Sequence, residues 1–151
     1  MSMEILTPMN KVERVTRKID PATFVAVPGI WAVLGTTGIL TNVAEGVNAL
    51  VNKLIIGSAS SSVYESHDVE VGRITTMESH GIRIKVDTAG YSATTPVAGD
   101  LLVVSSAAAT LGKLMPSDEA AGGTYEVVGR IEEVLTGYII YRTMSPVYVT
   151  V

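Results

Sequence analysis

Cysteine is absent from the 151 residues. That removes a disulfide framework, a thiolate nucleophile and any zinc site built on thiolates. Aromatic residues are scarce as well, at 5%, with a single Trp and a single Phe. Charged residues reach 17%, below the ~25% of an ordinary soluble domain. The two histidines, His67 and His80, are too few for an imidazole metal cluster. No apolar stretch approaches the ~20 residues a membrane-spanning helix requires. The N-terminus lacks the apolar run that follows the charges of a secretory signal. Neither a phosphate-binding glycine loop nor a Gly-x-Gly-x-x-Gly turn occurs, and Ser105-Ser106 stands outside any Gly-x-Ser-x-Gly elbow. A net charge of −4 argues against bulk nucleic-acid binding, which runs on excess Lys and Arg.

What remains is a chain rich in Val, Ile, Ala, Thr, Ser and Gly. The β-branched share favours strands, and fourteen glycines supply turns and bulges. We expect a mainly β fold, a small antiparallel β-barrel or sandwich with at most one or two short helices. Residues 1–20 show no clear period and precede Pro21, so they read as an extended N-terminal arm, and 21–151 as one β domain. The arm carries Lys11, Arg14, Arg17 and Lys18 against three acids, about +1, while the rest of the chain is about −5. These four cations, with Trp31, are the candidate partner-binding residues. Trp31 has two readings: a core residue, or an interface anchor of the kind enriched at binding hot spots.

Turn signals punctuate the chain. Thr23 to Val27 is a short apolar run ending at Val27-Pro28-Gly29. Ile30 to Leu34 follows, then Gly35-Thr36-Thr37-Gly38 and Ile39-Leu40. Residues 42–55 are ambiguous. Val43, Val47, Leu50, Val51, Leu54 and Ile55 fit a helical stripe, and Asn42 with Glu45 resembles a capping box, whereas Gly46 is costly inside a helix and the Lys53–Ile56 run could start a strand. Ser58 to Ser62 reads as a loop. From Val69 the period is two: Ile82, Ile84 and Val86 alternate with Arg83 and Lys85. Ser79-His80-Gly81 is placed to turn a hairpin there. A second strand-turn-strand unit runs from Val128-Gly129-Arg130-Ile131 to Gly137-Tyr138-Ile139-Ile140. Pro96 to Asp100 is a turn feeding the strand Leu101 to Val104, and the tail Pro146 to Val151 is a candidate edge strand.

Side-chain chemistry is sparse. Glu65-Ser66-His67-Asp68-Val69-Glu70 holds three acids and a His, but on an extended strand they face two ways and cannot share one ion. Adjacent Glu132 and Glu133 likewise point to opposite faces and cannot act as an acid/base pair. We expect no enzymatic activity, no metal and no cofactor.

The stretch from Ala98 to Arg142 resembles the small β modules of tailed-phage capsid decoration, or cement, proteins. The residues that carry the likeness are Ala98-Gly99-Asp100 with Leu101-Leu102-Val103-Val104, then Gly112-Lys113-Leu114, Val127-Val128-Gly129-Arg130-Ile131 and Gly137 to Tyr141. Lys85 to Tyr91 is similar to a strand-turn element of the same proteins. The resemblance implies a virion structural protein, made in the host cytoplasm and bound to the capsid exterior. Its partners would be the major capsid protein and further copies of itself, as a homotrimer with a homodimer as the alternative, and neither nucleic acid nor membrane. Another phage component (tail-tube, head-completion or fibre-base protein) and a small ligand-binding β domain are the competing readings. The second would need aromatic platforms that one Trp and six Tyr supply thinly.

Overall fold

The computed structural model describes residues 3–7, 14–19, 29–35, 38–44, 46, 53–56, 73–77 and 81–151. Eleven strands are formed among them: β1 (Met3–Ile5), β2 (Arg14–Ile19), β3 (Trp31–Leu34), β4 (Ile39–Asn42), β5 (Lys53–Ile56), β6 (Arg73–Met77), β7 (Arg83–Asp87), β8 (Leu101–Val104), β9 (Leu114–Pro116), β10 (Thr124–Leu135) and β11 (Tyr138–Thr150). Helical structure among the described residues is limited to 3-10 turns at Ala108–Thr110 and Ser117–Glu119. The fold is mainly β with antiparallel sheets, as the alternation predicts.

Six strands form one antiparallel sheet in the order β1-β7-β11-β10-β8-β9. Its axis is the β10–β11 hairpin. Leu135 pairs with Tyr138, which leaves the two-residue loop Thr136-Gly137, and Gly137 supplies the positive φ of 76° that such tight loops use. Val127 pairs with Val147, while Gly129 pairs with Thr143, so β11 carries extra residues there. Pro146 falls in that bulge, a position where a residue without an N–H is tolerated.

The other five strands pair in a ring, β2-β4-β3-β5-β6, that returns to β2. The β3–β4 turn expected at residues 35–38 is present: Leu34 pairs with Leu40, and the Gly35 N–H donates to the Ile39 carbonyl at 3.0 Å. The β2–β4 and β5–β6 joins are only two residue pairs each, and β2–β4 is parallel. The ring is therefore a set of short ladders and not a continuous barrel wall.

One core joins the two parts. Met3, Trp31, Ile55, Ile84, Leu102 and Tyr141 are all nearly or wholly buried and belong to a single cluster. The Trp31 N–H donates to the Gly112 carbonyl at 2.8 Å, tying the start of β3 to the loop before β9. Inside the core the Tyr141 hydroxyl and the Trp31 indole N–H lie near one another, but neither completes a hydrogen bond. Burial pushes the Tyr141 hydroxyl's pKa up, and the indole beside it offsets part of that rise.

Several expectations are corrected here. Arg83 and Lys85 do face out while Ile82, Ile84 and Val86 are buried. However, β6 pairs with β2 and β5 while β7 pairs with β1 and β11. The two flank His80 in sequence without forming a hairpin, because each completes a different set of strands. Val43 and Ala44, which follow Asn42, are not helical, Gly46 sits in the left-handed region at φ 77°, and Lys53–Ile56 is β5, so Asn42 caps no helix. A helix across 42–55 is excluded at both ends; the residues between lie partly outside those described. The expected arm is extended, with Met3–Ile5 and Arg14–Ile19 as strands, but both are paired, with β7 and with β6 and β4. Met3 is 2% exposed. The stretches Thr23 to Val27, Ser58 to Ser62 and Glu65 to Glu70 lie outside the described residues.

Candidate interaction surface

The outward face of the six-stranded sheet divides into a charged half and an apolar half. Register places Arg83 opposite Arg142, and Arg142 opposite Arg130, so three guanidinium groups line up across β7, β11 and β10. Like charges directly opposite one another destabilise a sheet. Glu132 relieves this: its Oε1 accepts from Arg83 Nε at 2.6 Å and its Oε2 from Arg142 Nε at 3.0 Å. The bulge between Ile131 and Glu133 is what lets Glu132 reach across. Arg130 Nε donates to the Gly99 carbonyl at 3.3 Å, and Arg142 Nη1 to the Gly81 carbonyl at 3.2 Å. The network braces the hairpin against its neighbours. Beside it, Lys85 Nζ sits 4.7 Å from the centre of the Tyr138 ring, a cation–π contact.

Hydrogen bonding to Arg83, then Arg142, holds the Glu132 carboxyl below the usual carboxylate range. The pair is partly solvent-exposed, so its contribution is at most about 1 kcal/mol. A depressed folded pKa contributes stability above the ordinary carboxylate pKa and loses it as pH falls through the folded value. Glu132→Gln is expected to lower stability at neutral pH by up to about 1 kcal/mol, with the difference shrinking in acid and in high salt. Urea melts of both proteins across pH check this. A difference that stays constant into acid would rule out the ionic origin.

The apolar half lies at β8–β9 and the far end of the hairpin. Val103, Tyr125 and Val127 form a second buried cluster there, and Leu101, Met115, Met144 and Val149 pack on it half-covered. Large exposed apolar side chains stand at both ends of the hairpin. Val134 and Leu135 immediately precede its loop, and Val97 belongs to a turn held beside it, where the Gly99 N–H donates to the Ile131 carbonyl at 2.8 Å. At the opposite end are Tyr148, 63% exposed, and Val151, 44% exposed.

No protein-family model, no curated protein and no solved structure matches this chain. Its surfaces must be read from their own geometry. Among the described residues no group of three acids or histidines is placed to hold a metal. Ser105 is buried and structural: its hydroxyl bonds Thr110 Oγ1 at 2.6 Å, and its N–H donates to the Lys113 carbonyl at 2.8 Å. A hollow of about 290 Å³ lies between Ile30, Val43, Leu111, Asn42 and Lys113. Lys113 Nζ is already bonded to the Thr88 carbonyl at 2.9 Å, and Trp31, the aromatic residue that lines the hollow among the described residues, is only 1% exposed.

Of the residues singled out in the sequence, Trp31 takes its core reading. It is buried and packs in the shared core. Arg14, Arg17 and Lys18 all lie on β2, while Lys11, His67 and His80 lie outside the described residues. The surface residues that sequence reading missed are Val97, Val134, Leu135 and Tyr148. Val134-Leu135 before Thr136-Gly137 carried a signal, since two large apolar residues lead into a tight turn, where polar residues are the rule.

Proposed function

We propose that this chain is a virion structural protein that binds the outer surface of a tailed-phage head shell, meets the major capsid protein there and stabilises the shell. The observation that supports this is the concentration of exposed apolar side chains at the two ends of a braced β-hairpin. Rigid apolar tips suit a protein that covers and is covered, because they bury surface on contact at little cost in ordering. The capsid assignment itself comes from the sequence resemblance. Its segments fall on β8, β9, β10 and β11, four neighbouring strands of one sheet, so the resembling residues form one unit in space. Many copies on one shell would add weak contacts into strong retention.

Co-sedimentation with expanded, undecorated phage heads tests the reading. The protein is expected to pellet with the heads, and the double change Val134→Asp with Leu135→Asp, on exposed positions, is expected to abolish this while leaving the circular dichroism spectrum unchanged. A protein that stays in the supernatant at saturating heads would overturn it.

A further inference from the structure

We infer that the outer edge of β11 from Val147 to Thr150 pairs with the same edge of a second copy, about a two-fold axis at Val149. Gly123 and Val151 exchange both backbone hydrogen bonds, N–H to O=C at 3.3 Å and 2.8 Å. Antiparallel ladders alternate, so Val149 with Tyr125 and Val147 with Val127 are the next hydrogen-bonded pairs on the β10 side. The N–H and C=O groups of Tyr148 and Thr150 therefore point the other way. Strand β7, the second neighbour of β11, stops at the Arg83–Arg142 pair, with the Thr143 N–H and C=O bonded to Ile82 and Gly81. Beyond that point no strand among the described residues covers this edge.

An open edge carries a row of unmet donors and acceptors and is a template for another strand. Edges meant to stay free are blunted with charge or proline. Residues 144–151 hold no charged side chain. Pro146 stands at an outward position, where its missing N–H costs β10 nothing and limits how far an added strand can extend. The available stretch is thus short and uncharged, which suits its own copy: no like charges meet when it pairs with itself. Antiparallel pairing about Val149 sets Tyr148 opposite Thr150 of the second copy, and the reverse. Each such pair exchanges two hydrogen bonds, four in all, with Val149 facing Val149 across the axis. The half-covered side chain of Val149 on the second cluster and the exposed Tyr148 lie along the seam. A closed two-fold interface is also the commonest way for identical chains to associate.

This inference stands apart from the capsid reading, since it is tested without heads. Light scattering of the full chain at micromolar concentration is expected to show about twice the 15.9 kDa monomer mass. Thr150→Pro removes an outward N–H that β10 does not use, and is expected to return the mass to the monomer with an unchanged spectrum. Should that variant unfold, a cross-link replaces it. The chain has no cysteine, and directly opposed residues in a non-hydrogen-bonded pair have Cα atoms about 4.5 Å apart, within disulfide range. Val149→Cys is therefore expected to form a disulfide-linked dimer under mild oxidation, while Thr136→Cys at the other end of the hairpin does not. A monomer mass for the unmodified chain, a trimer mass, or equal cross-linking of the two cysteine variants would each overturn the inference.

Discussion

Trp31→Ala is expected to destabilise the protein by about 3–5 kcal/mol, the usual cost of emptying a large buried aromatic site. Trp31 is 1% exposed and lies in the cluster that also holds Met3, Ile55, Leu102 and Tyr141. Removing the indole takes a wall from both the strand ring and the six-stranded sheet, and the backbone around it is pinned by the bond from the Trp31 N–H to Gly112. Collapse into the void is thereby limited, which places the cost toward the upper part of that range. Equilibrium urea unfolding measures it. An interface anchor on the surface would behave oppositely, keeping stability within about 0.5 kcal/mol while losing binding. A near-neutral Trp31→Ala would therefore refute the shared core described above.

Gly112→Ala should cost about 2–5 kcal/mol, from two sources that add: a left-handed backbone that penalises a side chain by about 1–2 kcal/mol, and overpacking worth about 1–3 kcal/mol. Gly112 has φ 79°, and a Cβ built on it would stand 2.7 Å from the Trp31 carbonyl oxygen. That oxygen belongs to a backbone held in β3, so it cannot swing aside as a flexible side chain would. Gly137→Ala is the control. Its φ is 76°, yet nothing lies within 4 Å of the added carbon, so only the conformational cost of about 1–2 kcal/mol remains. Denaturation midpoints of the two variants separate the terms. Equal losses would mean that the contact between Gly112 and Trp31 is not tight.

Much of the local structure is legible in the residues. The alternation of Ile82, Ile84 and Val86 with Arg83 and Lys85 specifies a half-buried strand because successive side chains point to opposite faces. Thr136-Gly137 specifies a tight hairpin because glycine alone enters the left-handed region freely. The turns at residues 35–38 and 96–100 and the strand Leu101–Val104 follow from the same local rules. Cysteine's absence settles, without any structure, that no thiol or disulfide takes part.

Tertiary structure alone decided which strands meet. Ser79-His80-Gly81 looks like a hairpin turn, yet β6 and β7 join different sets of strands. Pairing partners are chosen by which apolar faces share a core, and adjacency in sequence does not encode that. Polar Glu4 and Thr7 make the first residues look like a free arm, but three residues of β1 suffice to lay Met3 into the core and Glu4 beside Lys85. Glu132 reads as a solvated strand residue until a bulge turns it onto Arg83 and Arg142. The edge at Tyr148 and Thr150, which no strand among the described residues covers, is likewise invisible in sequence: whether a backbone group is paired depends on where its neighbours end, and only the assembled sheet fixes that.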